Sequence, residues 1–496
     1  MTATTARIGH GDATASAAGY VTLGAVLLGS LIGPMLMSGT AVALPAMGAD
    51  LDASGGALQW VVTGYFLAAA CCMLTAGSLA DQLGRRRVLR IGAAVYVVGT
   101  AAVAAAPDIW VVDVARTVSG IGAAGIMAAG GALLAATFDG PARTRAFAAV
   151  GTVAGVGLAI GPTAAGLLVG GIGWRATFLV FAVLGSVILL GTAFAQESRS
   201  DVPVRVDRLG AITLVAGLGL VLLAVTQLSG ARLTDPAVLG QLAAGAGLLV
   251  AFVRIEKRVA NPLFDLDLLR DRRFTGWCLS AATLALGSTP VLVTLPTYLQ
   301  GVNGLSPGRA GAVMLMLTVP IVAFPSLGAR LVNRGVSPRL VITVALAAMS
   351  LGNAWLSVLH PGISAVGLLG PFVAIGAGNG LALGIIDARA MALVPPNRIG
   401  MASGLLNTVR GGSNAVLLAL FGAVMVTLLR LEVGDNAVAQ RVSSGEVDGP
   451  DAAFLADSLT DVWRAMLFAV ATLCAASAAA VAVLLRPNPS TSPKEN

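Results

Sequence analysis

Charge is scarce in this chain: 11% of its 496 residues are charged and 56% are hydrophobic. A carboxylate or guanidinium lodged in an apolar run is therefore the first place to look for chemistry. Asp113 and Arg116 stand three positions apart in one such run, so on a helix they share a face and can pair. Asp387 lies toward the end of a later run, where an interfacial pairing with Arg389 is the alternative reading, and Arg410 sits well inside the next, with no acid beside it. An ionised side chain at the centre of a bilayer costs about 2.5–3.5 kcal/mol or more, so such residues pair with one another or line a water-filled path. A carboxylate that alternates between an arginine and an aqueous cavity takes up and releases a proton. Asp113, Arg116, Asp387 and Arg410 are thus the candidates for proton coupling, with Asp113 preferred as the carrier and Asp387 next.

Little else in the sequence offers a reaction. His10 and His360 are the two histidines, and neither adjoins an intramembrane acid. Cys71, Cys72, Cys278 and Cys474 fall in apolar runs with no ligand spacing between them, which argues against a disulfide framework or a zinc site. No nucleotide-binding loop is present, so neither a metal nor a cofactor is expected. The net charge of +7 does not imply a nucleic-acid partner, because arginines in an apolar chain first report topology.

Two glycine-framed stretches carry a different chemistry, that of close backbone approach. In "GSLADQLGRRRV", Gly77, Asp81 and Gly84 precede Arg85 and Arg86. Asp81 closes one apolar run and the arginines open the next, so an ion pair can tie two helix ends together around a tight turn. Topological anchoring alone also produces arginine runs. In "GLAIGPTAAG", Gly157, Gly161 and Gly166 surround Pro162. Small residues let helices approach, and proline removes a backbone donor and bends the helix.

The elements that must position these residues are transmembrane helices. About 20 apolar residues span a bilayer core, and fourteen such runs are present, at 20–47, 60–80, 88–106, 109–136, 146–170, 174–195, 209–228, 237–253, 274–299, 310–327, 340–359, 363–391, 401–429 and 462–485. The expected fold class is an all-α polytopic membrane protein. Placing the N-terminus in the cytoplasm puts 23 of the 31 lysines and arginines on that side, as the positive-inside bias requires. Trp60, Trp110, Trp174, Trp355 and Trp463 then mark the outer interface. Residues 430–464, rich in acids, glycine and serine, read as a partly mobile external loop.

The stretch from Gly77 to Arg87 resembles the signature loop between helices two and three of the major facilitator superfamily. "RTVSGIGAAG", starting at Arg116, is similar to its helix-four motif, with Ser119 where a glutamine is usual. "GLAIGPTAAG" matches the helix-five antiporter motif, and "LQWVVTGYFLA", from Leu58, is similar to the start of helix two in fourteen-helix drug:proton antiporters. "GARLVNRG", from Gly328, repeats the seven-residue glycine spacing with Val332 in place of Asp81.

The resemblance implies two six-helix halves, at 20–195 and 274–485, with two inserted helices at 209–253 and cytoplasmic tails at 1–19 and 486–496. It implies a site near the midplane and a cavity seal at helix five, hence antiport. It also exposes a departure: the acid usual on helix one is Leu36 here, and the usual asparagine is Ala41. The activity it implies is export of amphipathic drugs or antibiotics across a bacterial cytoplasmic membrane in exchange for protons. The partners are then a small amphipathic substrate, protons and the bilayer, with a monomer sufficient for function. Uptake of a nutrient or metabolite is the second reading, and a membrane-embedded enzyme or sensor the third.

Overall fold

A computed structural model describes residues 17–138, 140–198, 208–227, 235–259, 266–394 and 399–486. Among these the chain is helical throughout: α1 (Ala17–Leu51), α2 (Gly55–Leu83), α3 (Arg85–Ala105), α4 (Ile109–Thr137), α5 (Gly140–Gly191), α6 (Arg208–Gln227), α7 (Pro236–Glu256), α8 (Arg272–Gly301), α9 (Pro307–Asn333), α10 (Pro338–Trp355), α11 (Ala365–Met391), α12 (Ile399–Val433), α13 (Asn436–Ser443) and α14 (Ala452–Leu484). Twelve of them are long and apolar enough to cross a membrane, and α6 is a shorter apolar helix. Gly173, at φ +80°, breaks α5 into two arms. That kink separates two spans, so with α6 the helices provide the fourteen spans expected.

Two apolar cores organise the bundle. One joins α1 to α5 around Phe178, Tyr65 and Tyr96; the other joins α8 to α12 and α14 around Trp463, Phe274 and Phe372. The inserted helices bridge the two, with Leu214 and Phe252 in the second core and Leu222 and Val225 in the first. Glycines set the spacing inside the first. A β-carbon on Gly120 would lie 2.6 Å from the Tyr65 carbonyl, and one on Gly125 would lie 2.9 Å from Gly92 Cα. Both glycines belong to the stretch after Arg116, so that stretch draws α2 and α3 against α4.

Among the described residues, a group of contacts between the halves lies at the end that carries Asp50, Gly55 and Pro307, and Gly411 against Ala70 and Gly155 against Val322 continue them toward the middle. Gly166 lies against Pro307 and Gly308, and Gly311 against Pro162 and Thr163, so the first arm of α5 meets α9. Gln300 donates to the Val42 carbonyl at 3.2 Å, linking α8 to α1. Gln59 touches Gly422 and Gly55 touches Gln440, linking α2 to α12 and α13. Beside these, Asp50 is ion-paired with Arg175 and accepts from Trp174 Nε1 at 3.1 Å.

Several expectations are corrected. The acidic stretch 430–464 is largely helical: α13 lies within it, and α14 starts at Ala452, well before residue 462. Asp435 is the reason for α13, since its carboxylate accepts from the backbone of Ala437 and Val438, a capping arrangement. Trp174 and Trp463, expected to mark the outer interface, are both buried within the bundle, Trp463 between Tyr298 and Phe421. The expected tails lie mostly outside the described residues.

Candidate transport and coupling site

Arg116 lies two turns into α4, fully buried. Its Nε donates to the Val61 carbonyl at 2.9 Å, and its guanidinium carbon stands 4.2 Å over the Tyr65 ring. A cation over an aromatic face gains about 0.5–2 kcal/mol, and α2 supplies both partners. The two terminal nitrogens have no hydrogen-bond partner. Asp113, one turn earlier on α4, is 4% exposed, and its Oδ1 is likewise buried without a partner. The two therefore share a face, as the spacing requires, but do not form the expected ion pair. Arg116 is held toward α2 by Val61 and Tyr65 instead.

Asp387 and Arg410 behave in the opposite way. The sequence places them on different helices with no stated relation, and the fold brings them together. Arg410 Nη2 donates to Asp387 Oδ1 at 2.8 Å, and its Nη1 donates to Asn407 at 3.1 Å. The alternative pairing of Asp387 with Arg389 is not the one formed. The pair ties α11 to α12 on the side away from the Asp50 end, and the Asp387 side chain is 47% exposed there. Polar side chains nearer the middle of the second half complete a ladder that sequence reasoning missed. Asn379 donates to Ser288 at 2.8 Å, and Thr289 donates to Asn414 at 2.8 Å, joining α8 to α11 and α12. Asparagines inside apolar helices were the available signal, since a buried amide needs a partner.

The turn between α2 and α3 owes its form to Gly84, at φ +109°. Gly335, at φ +92°, follows α9 in the same way, so the repeat is real at its second glycine. Gly77 needs no such explanation: a β-carbon there would meet only Ala128, at 4.0 Å. The expected close approach at Gly77 is therefore not made. The Asp81 side chain lies outside the described residues, and with it the expected pairing to Arg85. What holds the start of α3 is the segment after α5. The Arg86 amide donates to Glu197 at 3.1 Å, the Arg85 amide to the Ser198 carbonyl at 2.9 Å, and the Arg86 guanidinium to the Ala193 carbonyl at 3.0 Å. A carboxylate on free helix-start amides satisfies orphan donors and complements the helix dipole. Glu197 was not singled out in the sequence, because nothing local connects it to a helix start more than a hundred residues earlier.

In the antiporter-like stretch every glycine is a contact. A β-carbon on Gly157 would strike the Leu31 carbonyl, and one on Gly161 would lie 2.6 Å from the Met35 carbonyl. Gly166 meets Pro307 across the halves, and Thr163 donates to the Gly311 carbonyl at 2.7 Å. The first arm of α5 is thus wedged between α1 and α9. Leu36, at the position of the missing acid, is buried at 2% exposure beside it.

A fourteen-span helical bundle with two apolar cores, meeting at one end through glycine-rich contacts, is the architecture of a secondary transporter. The family model described as Major Facilitator Superfamily matches residues 26–418, and the chain belongs to that superfamily. It is a multi-pass membrane transporter. It is similar to the multidrug resistance protein Stp of Mycobacterium tuberculosis, 32% identical over 78% of this chain and 72% of that protein. The puromycin resistance protein pur8 of Streptomyces alboniger is 32% identical over 84% and 83%. The cephamycin export protein CmcT of Amycolatopsis lactamdurans is 36% identical over 77% and 81%. Among solved structures, an auto-inhibited POT family peptide transporter superposes with a TM-score of 0.67 at 16% identity, over 96% of this chain and 98% of its own. A bacterial homolog of the human lysosomal transporter Spinster, inward-facing and occupied, gives 0.67 at 15%, over 94% and 96%. These two likenesses establish the fold.

Proposed function

We propose that this protein exports small amphipathic compounds, drugs or antibiotics among them, across the bacterial cytoplasmic membrane in exchange for protons, by alternating access. The observation that carries the reading is made among the described residues: the halves meet at the Asp50 end, and the Asp387–Arg410 pair away from it is part-exposed. The excess of arginines at the Arg85 end makes that end and both termini cytoplasmic, so the conformation is inward-facing, ready to load from the cytoplasm. Relatives named for resistance to or export of antibiotics favour outward over inward transport.

Asp113 is the proton carrier of this scheme. It and Arg116 are a carboxylate and a guanidinium one turn apart, both with unpartnered buried atoms, an arrangement that an uncompensated charge makes costly. Protonation of Asp113 relieves it in one state of the cycle, and pairing with Arg116 relieves it in another. Asp387 with Arg410 forms the inner polar station. Gly77, Asp81, Gly84, Arg85 and Arg86 act in the conformational switch, and Gly157, Gly161, Pro162 and Gly166 in the seal. One chain holds every residue named, so a monomer suffices.

The test is transport itself. Expression in an efflux-deficient bacterium, screened against a compound panel, is expected to raise resistance to several compounds. Purified protein in liposomes is expected to move those compounds against their gradient when a pH gradient is imposed, and in the direction opposite to protons. Movement in the same direction as protons would establish the uptake reading instead. Turnover of a compound without translocation would establish an enzyme.

A further inference from the structure

On the flank of the first half, near the Asp50 end, a cleft of about 570 Å³ opens between α2, α4 and α6. Trp60, Trp110, Asp113, Thr117, Leu223 and Gln227 are among the residues that line it. Gln440 of α13, which meets Gly55 across the halves, closes one end of it, and the rest opens on the flank of the first half. Trp110 and Val114 in its wall are 71% and 65% exposed on the outer surface of the bundle, where lipid surrounds the protein. Two indoles at one level mark the head-group region, and the aliphatic Val114, Val118 and Leu223 continue the wall along the helices.

The cleft is amphipathic, with a single acid in its wall. The unpartnered Asp113 Oδ1 requires a donor, and Arg116, drawn toward Val61 and Tyr65, makes no hydrogen bond to it. The Thr117 hydroxyl donates to the Asp113 carbonyl at 2.8 Å, which leaves its oxygen free to accept. A primary ammonium has three donors for such acceptors and a charge that indole faces attract. A quaternary ammonium has no donor and would leave the carboxylate oxygen unsatisfied.

We propose that this cleft is a binding site for an amphiphile with one primary ammonium, the ammonium on Asp113 between Trp60 and Trp110 and the apolar part along α4 and α6. Two sources share that chemistry: an outer-leaflet lipid with an ethanolamine head group, and a soluble alkylammonium compound. The site stands whether or not Asp113 also carries the transported proton, because the readout is binding and not transport.

Native mass spectrometry of the purified full chain tests it, with phosphatidylethanolamine and phosphatidylcholine of identical acyl chains as probes. Wild type is expected to retain the ethanolamine lipid about tenfold better, a difference of about 1.4 kcal/mol. Asp113→Asn is expected to erase that preference. Trp110→Ala, at an exposed position that leaves the fold intact, is expected to reduce it several-fold. Displacement of the retained lipid by dodecylammonium would show that a soluble amphiphile shares the site, and retention against dodecylammonium would assign the site to lipid alone. Equal retention of the two lipids by wild type, tighter binding of the choline lipid, or an undiminished preference in both variants would overturn the proposal.

Discussion

Asp113 and Arg116 show how far a residue's meaning depends on its neighbours. Their spacing places them on one face, but Val61 and Tyr65 draw the guanidinium aside and leave both groups incompletely satisfied. If Asp113 carries the proton, Asp113→Asn abolishes proton-driven accumulation in liposomes and leaves exchange of substrate down its own gradient. Accumulation that survives in this variant would move the role to Asp387. Glu197 acts at the same scale and by simpler physics. Its carboxylate caps the exposed start of α3, a dipole interaction of about 0.3–1 kcal/mol. Glu197→Gln is expected to slow turnover several-fold with little change in equilibrium substrate binding, and Asp81→Asn to do the same. A large loss of binding by either variant, with thermal stability intact, would show that the turn contributes to the substrate site.

Among the elements, the first arm of α5 and the outer helix α13 each carry a contact between the halves. Gly161 lies so close to Met35 and Ser38 that any larger side chain separates α5 from α1, and overpacking of this kind costs about 1–3 kcal/mol. A folded Gly161→Leu protein is expected to leak protons without substrate, measured as decay of a pH gradient in liposomes. Tight coupling in that variant would remove the seal from α5. At the other contact, Ser444 just beyond α13 accepts from the Gly55 amide at 3.1 Å, and Glu446 packs over Gly48. Burial pushes the Glu446 carboxyl above its usual range, with Asp448 and Asp52 adding to the rise and Arg441 opposing it. A raised carboxyl favours the packed loop in its neutral form. The stabilisation is thus complete below the ordinary carboxylate pKa and is lost as pH rises through the raised one. Hydrogen-exchange protection of α13, taken relative to the intrinsic rate at each pH, is expected to fall over that window in wild type and to be flat with pH in Glu446→Gln.

At the scale of the whole molecule, charge balance decides which compounds pass. Leu36 fills the helix-one position with an aliphatic side chain, and the acid on the accessible side, Asp387, is neutralised by Arg410. A path without net negative charge does not repay the desolvation of two positive charges. Neutral, zwitterionic or anionic compounds are therefore expected to be exported better than lipophilic dications of similar size. Efflux assays with matched pairs check this, and a consistent preference for dications would refute it. The outer cleft on Asp113 does not alter the expectation, since one carboxylate there balances one charge.

Composition and periodicity alone determined that the chain crosses a membrane fourteen times. Apolar runs of bilayer length have no other stable solution, because every backbone group in lipid must be bonded within its own helix. The glycine-framed motifs were legible for the same local reason: positive φ at Gly84 and close approach at Gly157, Gly161 and Gly166 are demands on a single backbone position. Partnership was not legible. That Asp387 meets Arg410 and not Arg389 of its own helix, that Arg116 turns to Tyr65, that Glu197 caps α3, and that Trp463 is buried all depend on helices distant in sequence. A side chain's partner is set by which helix faces it across about 8–10 Å, and that distance exists only after the bundle has assembled.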